Sequence, residues 1–428
     1  MDAKAFAQMS SSDAARQSPR MLVAVVSVIL STTLIAIGNG LMFAYIPVRL
    51  GAEGFDPTWA GSILTGLSAG GIAGCLLTGK LVSRIGHARA YMVMSALIVL
   101  SNAGVAAGPY PVVWIAARAL YGFGMCALFI VAQSWLNDAV GNAIRGRVMA
   151  VFYVSYIVAM GLGSLMMAVL DVNSAQAPLI GIVFTALSML PVGMTRLAQP
   201  PAPQAASVAL RRSWRISPVG VTGMLAVGGL SMMIAGFAPI HATTKGFSQQ
   251  EVAALMFAMP LGALILQIPF GWISDRTDRR YVLIAASLLV GVTGIAAARF
   301  DAAPLVVILA IYLIWSGASE SIYSLSTAHA SDRASQEDLV ALSATLLFTW
   351  SVAGFITPAV GTVLTATFGT QSFIYVAISI AFAYALFVVW RVSTTRPVPA
   401  EETGNFAPMT AQAPVPVDLA FPTDQDPR

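Results

Sequence analysis

The sequence predicts an all-α membrane protein whose twelve transmembrane helices form two pseudo-symmetric six-helix bundles. Three observations carry that prediction. Of 428 residues, 57% are hydrophobic and 10% charged, and the mean hydropathy is +0.78. Soluble domains carry about 25% charged residues, so this chain cannot cover a water-facing surface with polar groups. That excludes a soluble globular enzyme, a disordered chain and a nucleic-acid-binding domain. Apolar runs of the ~20 residues needed to cross a ~30 Å hydrocarbon core recur twelve times along the chain. Finally, the loop after the second run returns after the eighth, and a long basic gap separates the two sets of six.

Taken in order, residues 1–20 are polar and read as a cytoplasmic N-terminal segment. The first run, 21–47, is far longer than a signal-peptide core, so no cleavable signal is expected. Runs 58–79, 90–108, 111–136, 148–170 and 176–195 complete an N-terminal bundle over 21–195. Residues 196–217, rich in Pro and Ala and then basic at Arg211, Arg212 and Arg215, read as a cytoplasmic linker. Runs 218–242, 250–273, 281–299, 303–328, 339–367 and 371–390 build a C-terminal bundle over 218–391. The Pro/Ala-rich remainder, 392–428, has no periodicity and is expected to be a disordered cytoplasmic tail. Each run reads as a helix, because in lipid the backbone must satisfy its own hydrogen bonds and no run alternates apolar with polar residues.

Basic residues orient the chain. With the N-terminus in the cytoplasm, 19 of the 23 Lys and Arg fall on cytoplasmic segments and 3 (Arg49, Lys245, Arg299) on the other side, while Arg118 lies inside a run. This bias predicts both termini on the cytoplasmic side of the membrane. Cys75 and Cys126 lie in apolar runs without C-x-x-C spacing and read as small packed residues. His87, His241 and His329 are scattered, so no metal site and no cofactor are expected.

The repeated loop reads Gly79-Lys-Leu-Val-Ser83-Arg84-Ile-Gly86 in the first half and Gly271-Trp-Ile-Ser-Asp275-Arg276-Thr-Asp278-Arg279-Arg280 in the second. The second copy resembles the G-x-x-x-D-R-x-x-R-R loop signature of the major facilitator superfamily. Arg118-Ala-Leu-Tyr-Gly122-Phe-Gly124 in run 4 resembles that family's R-x-x-x-G-x-G pattern. The resemblance spans about residues 21–391, and the stretch from Gly79 to Gly163 is most like the poorly characterised bacterial YcaD-like branch. It implies the major facilitator fold, with a solute site at the midplane between two rocking halves.

The resemblance further implies a cytoplasmic latch. Gly79 and Gly271 would end helices where backbones approach closely. Asp275 would face a helix N-terminus in the opposite half, where the dipole favours negative charge, and Arg84, Arg276, Arg279 and Arg280 would pair with nearby acids. Such a latch favours the outward-facing state. Ser83 stands where the family has an acid, so the first copy is expected to be the weaker. A plainer reading makes these arginines topology signals alone. The resemblance also implies that runs 2 and 11 meet across the halves, through Gly66, Gly70 and Gly74 on one side and Gly354, Pro358 and Gly361 on the other.

A charge at the bilayer centre costs about 3 kcal/mol on insertion scales, which makes each one a functional candidate. Arg118 in run 4 and Glu320 in run 10 are the two. The resemblance implies that Arg118 faces the cavity or a coupling network, whereas Glu320, with no family signature behind it, is expected to carry a proton or hold a cationic group. The alternatives are an Arg bonded to backbone carbonyls and a Glu bonded to Ser319, Ser321 or Ser324. Asn39, Gln133, Tyr153, Tyr156, Gln267 and Tyr323 are further candidates to line a cavity, and Trp135 and Trp315 to wall it. The resemblance places runs 1, 4, 7 and 10 on the cavity, which favours Asn39, Gln133 and Tyr323.

Run 5 holds Gly161 and Gly163 but no proline. It thus lacks the Gly-Pro-Gly signature of the family's drug/proton antiporters. No Walker-type loop and no nucleophile–base motif occurs, which leaves neither direct use of ATP nor enzymatic catalysis. The sequence therefore reads as a monomeric secondary transporter of a small organic solute, with protons as the expected coupling ion. A transport-inactive sensor or accessory protein on the same fold is the alternative.

Overall fold

The computed structural model describes residues 3–140, 142–194, 208–300, 303–335, 337–396 and 406. The first half comprises α1 (Ala3–Ala52), α2 (Pro57–Ile85), α3 (His87–Ala106), α4 (Pro111–Ala139), α5 (Asn142–Met166) and α6 (Gln176–Met194). A short α7 (Leu210–Ile216) follows. The second half comprises α8 (Pro218–Ser231), a π segment (Met232–Gly236), α9 (Phe237–Thr244), α10 (Gln249–Ser274), α11 (Arg279–Arg299), α12 (Leu305–Ser331), α13 (Leu339–Phe368) and α14 (Ser372–Thr394). Among the described residues no strand occurs, and twelve stretches are long and apolar enough to cross a membrane. α8, the π segment and α9 run on as one span, Pro218–Thr244.

Local chemistry explains where helices begin and end. Pro57 and Pro218 occupy first-turn positions where no N–H is needed. Asp56 and Ser217 accept the orphan N–H groups of Thr58 and Gly220. Ser248 and Glu251 form a capping box at the start of α10. Gly86 ends α2 with φ +78°, a conformation that favours glycine. Residues 3–20, read from sequence as a polar segment, continue α1 as one helix. Most of the linker (196–207) and of the tail (397–405 and 407–428) lies outside the described residues.

Packing repeats between the halves. In the first, α1 meets α5 and α6, α2 meets α4, and α3 meets α4 and α6; in the second, α8, α10 and α11 make the corresponding pairs with α12, α13 and α14. α2 crosses to α13, and α5 crosses to α10. The tightest seams within each half are built on glycine. A Cβ at Gly70 would overlap the Ala119 carbonyl, one at Gly122 the Leu67 carbonyl, and one at Gly262 the Leu313 carbonyl.

This corrects the reading of the glycine stripe. Gly66, Gly70 and Gly74 seat α2 on Ile115, Ala119 and Phe123 of α4, inside the first half. Gly354 and Gly361 face Met232, Met233 and Phe237, inside the second. Pro358 lies within α13, its carbonyl accepting from Thr362. A four-residue stripe announces a close helix without naming it, and the nearer partner belongs to the same bundle. The α2–α13 crossing is made instead by Gly61 against Thr362 and by Cys75 beside Ser351. Gly79 is corrected too: it lies inside α2 with open space around its Cβ position. Gly271 likewise lies inside α10, and its neighbour is the Phe406 ring of the tail.

Candidate functional site

Between the halves lies a cavity. The first half supplies Asn39 and Phe43 from α1, Leu67, Ser68, Gly71, Ile72 and Cys75 from α2, and the face of α4 from Tyr121 to Ile130. Met232 of the π segment and Leu347, Trp350, Ser351 and Gly354 of α13 complete the wall. The wall is apolar and aromatic with a few polar groups, the usual make-up of a small-molecule site. No lining residue carries a carboxylate, an ammonium or a guanidinium.

Asn39 is the polar centre of this wall. Its Nδ2 donates to the Tyr156 hydroxyl at 2.9 Å, and its Oδ1 accepts from the Tyr121 hydroxyl at 2.9 Å. Tyr156 sits behind the wall, its ring edge-on to Phe129 at 4.7 Å. The three polar groups fix one another's orientation in a buried setting, where such networks are rigid.

A second pocket lies between the cavity and the arginine-poor face, lined by residues near the end of α1, the start of α2 and the junction of the π segment with α9. Phe43 and Leu67 belong to both spaces and separate them. Arg118 lines this second pocket and is 2% exposed. Its guanidinium lies 4.1 Å from the Tyr121 ring centre and 5.6 Å from that of Phe43. Its Nη1 has no hydrogen-bond partner.

The other sequence-derived candidates lie apart from the main cavity. Glu320 accepts from the Ser231 hydroxyl at 2.5 Å, beside Met232 of the wall. Among the described residues, neither Arg118 nor Glu320 joins an ion pair. Gln267 donates to the Tyr153 hydroxyl at 2.9 Å and accepts from Ser324 at 3.1 Å, tying α5 to α10 across the halves. Gln133 and Tyr323 are buried off the wall. Trp135 packs with His87 and Tyr91 in the first half, and Trp315 with Tyr312 and Phe373 in the second. The tryptophan on the wall is Trp350.

Further contacts join the halves toward the arginine-poor face. Gln249 donates to the Met167 and Leu170 carbonyls, Gly51 lies against Thr243, and Gly236 against Leu64.

The loop signature is engaged within its own half. Asp275 caps the C-terminus of α10 and accepts from the Phe406 N–H at 2.9 Å, with Arg279 Nη1 at 3.4 Å. The expected contact of Asp275 with a helix start in the opposite half is therefore not the contact made. Asp278 does the helix capping, on α11 itself, accepting from the Arg280 N–H at 3.0 Å. Arg279 bonds Asp332 at 2.6 Å and Ser274 at 2.9 Å. Arg280 chelates Asp278 and donates to the Thr395 carbonyl at 2.9 Å. Arg276 lies over the Trp272 ring. Burial pushes the Asp278 carboxyl up, but its bonds to the Arg280 side chain and N–H outweigh this and hold it below the usual range. In the first copy, exposed Ser83 donates to the Lys80 carbonyl of its own helix, and Arg84 is exposed.

With this geometry in view, comparison with known proteins decides the family. The model of the Major Facilitator Superfamily matches residues 28–228 and again residues 219–421. The chain belongs to the major facilitator superfamily. It is 27% identical over 384 residues to an uncharacterized MFS-type transporter of Enterobacter sp. (strain 638), covering 89% of this chain and 97% of that one. It is 26% identical to the uncharacterized MFS-type transporter YcaD of Escherichia coli O7:K1, covering 86% and 95%. Among solved structures, the nucleoside transporter NupG superimposes with a TM-score of 0.69 at 13% identity, covering 87% of this chain and 98% of that one. A D-xylose-proton symporter superimposes with a TM-score of 0.67 at 14% identity, covering 89% and 98%. These two likenesses concern the fold. The chain is thus a multi-pass membrane protein whose relatives are transporters.

Sequence reasoning found Asn39 on the cavity wall and missed most of its neighbours. Phe43, Leu67, Met125, Met232 and Trp350 carry no signal that separates a wall from a core. Tyr121 had one available: a phenol one residue before the tight glycine Gly122, on a helix already marked by Arg118.

Proposed function

We propose that the protein is a secondary active transporter of the bacterial inner membrane that moves a small organic solute by alternating access. The observation that carries this reading is the cavity shared by both halves and separated from a second pocket by Phe43 and Leu67. With the arginine-rich face cytoplasmic, the contacts of Gln249, Gly51 and Gly236 lie on the outer side, and the arrangement corresponds to an inward-facing state. Rocking the halves would open the second pocket and bring Arg118 into the path.

The wall favours an uncharged or amphipathic solute with an aromatic or apolar body and one or two hydrogen-bonding groups, which Asn39, Ser68 and Ser351 would meet. Protons are the coupling ion in this reading. Glu320, bonded to Ser231 beside the wall, is the group that would load and release them, and Arg118 attracts the anionic form of whatever passes Phe43.

Flux into proteoliposomes, with and without an imposed proton gradient, tests the proposal. The expected result is solute accumulation that follows the gradient and loses most of its pH dependence in Glu320→Gln. A pH dependence unchanged in that variant removes Glu320 from the coupling step. A purified protein that binds a solute yet moves none across a broad panel overturns transport and favours the sensor alternative.

A further inference from the structure

We propose that Cys75 and Cys126 form a dithiol modification site in the cavity wall, closed to a disulfide by two-electron oxidants small enough to enter. The two residues are far apart in sequence and both line the main cavity. Their Sγ atoms lie 2.8 Å apart, inside the contact distance of two non-bonded sulfurs, and both thiols are free. A disulfide needs about 2.05 Å, a closure within reach of small side-chain adjustments.

Helix packing sets this approach. Gly70 and Gly74 seat α2 directly on α4, and a Cβ at Gly74 would stand 2.7 Å from the Phe123 carbonyl oxygen and 3.1 Å from the Cys126 Cβ. The sulfurs therefore meet on two rigid helices held at backbone contact. A third neighbour reports the change: the Ser351 hydroxyl of α13, 4.0 Å from Cys75 Sγ, reaches it from the opposite half. Closure draws the Cys75 sulfur toward Cys126 and away from α13.

With a hydroperoxide as oxidant, one thiolate attacks the peroxide, takes one oxygen as a sulfenic acid and releases water (from hydrogen peroxide). The second thiol then attacks that sulfur, the S–S bond forms, and the sulfenic oxygen leaves as a second water. Two thiols and one hydrogen peroxide thus give one disulfide and two waters. A dithiol reductant reverses the step by thiol–disulfide exchange. The inference does not depend on the transport reading, since its test needs no flux.

The test treats the full-length protein in detergent with one equivalent of hydrogen peroxide, then alkylates it under denaturing conditions and weighs it intact. The expected result is a loss of two hydrogens, a fall from two iodoacetamide adducts to none, and recovery of both adducts after dithiothreitol. Cys126→Ser should stop at a Cys75 sulfenic acid that dimedone traps. Gly74→Val keeps both thiols but forces the helices apart, and should slow closure at least tenfold. Two independently alkylated cysteines after oxidation, advance to sulfinic acid, or dimers on a non-reducing gel would each overturn the proposal. Should Gly74→Val fail to fold, the wild type and Cys126→Ser still decide between these outcomes.

Discussion

In the first half, Gly122 of α4 lies against the Leu67 carbonyl of α2; in the second, Gly317 of α12 lies against the Gly262 backbone of α10. Gly40 against Met160 likewise has its counterpart in Gly228 against Trp350. The charges do not follow this duplication. Arg118 stands four residues before Gly122, whereas Glu320 stands three residues after Gly317, on opposite sides of equivalent points. The loop signatures diverge as well. Ser83 and Arg84 are exposed, while Arg279 and Arg280 are 2% exposed and held by Asp332, Asp278 and Thr395. Backbone contacts that the fold needs are kept in both halves. The charged groups differ, so each half carries its own set.

That contrast predicts a hierarchy of effects. The largest falls on the second half. Arg279→Ala leaves the Asp332 carboxylate, 6% exposed, without its 2.6 Å partner, and breaking such a buried pair costs about 3–5 kcal/mol. Arg84→Ala in the first half should change stability by less than about 0.5 kcal/mol. Thermal unfolding in detergent measures both, and similar losses in the two variants would dissolve the contrast between the loops.

Next come the shared seams. Gly122→Ala and Gly317→Ala each drive a methyl into a backbone carbonyl or its neighbour, and overpacking of this kind costs about 1–3 kcal/mol. Gly79→Ala meets open space and should be neutral or stabilise by up to about 1 kcal/mol. Unfolding midpoints that drop in one half only would show that the seams are not equivalent.

The smallest effect is a pH dependence confined to the second half. The Asp278 carboxyl is held below its unfolded value of about 3.9, so its contribution is fully present above that pH. It is lost as pH falls through the lower folded value. Asp278→Asn should therefore lower the midpoint at neutral pH, where that contribution is fully present, and flatten the acid limb of a plot of midpoint against pH below about pH 4. An acid limb identical in the variant would assign the acid sensitivity elsewhere.

How far the sequence is legible follows from the same physics. The twelve spans could be read because lipid obliges each crossing to be a long apolar helix, and the observed spans begin and end within six residues of the runs. The duplication could be read from the Gly79 and Gly271 loops. The meeting of α2 with α13 followed from the resemblance, but the residues that make it could not be read: Gly66, Gly70 and Gly74 told of a close neighbour without saying that it was α4. The cavity wall was equally hidden, because Phe43, Leu67 and Trp350 are indistinguishable in sequence from residues that fill a core. The meeting of Cys75 with Cys126 depends on a helix-to-helix register that no local pattern encodes.

Phe43 and Leu67 each face two spaces, so where those spaces adjoin the barrier between them is a single layer of side chains. A single side chain rearranges faster than bundles of helices, which take microseconds to milliseconds. The partition between the two spaces is therefore set by the bulk of two side chains, which move singly. Enlarging or trimming either side chain would change how the two spaces communicate without touching the contacts of Gln249, Gly51 and Gly236 that join the halves.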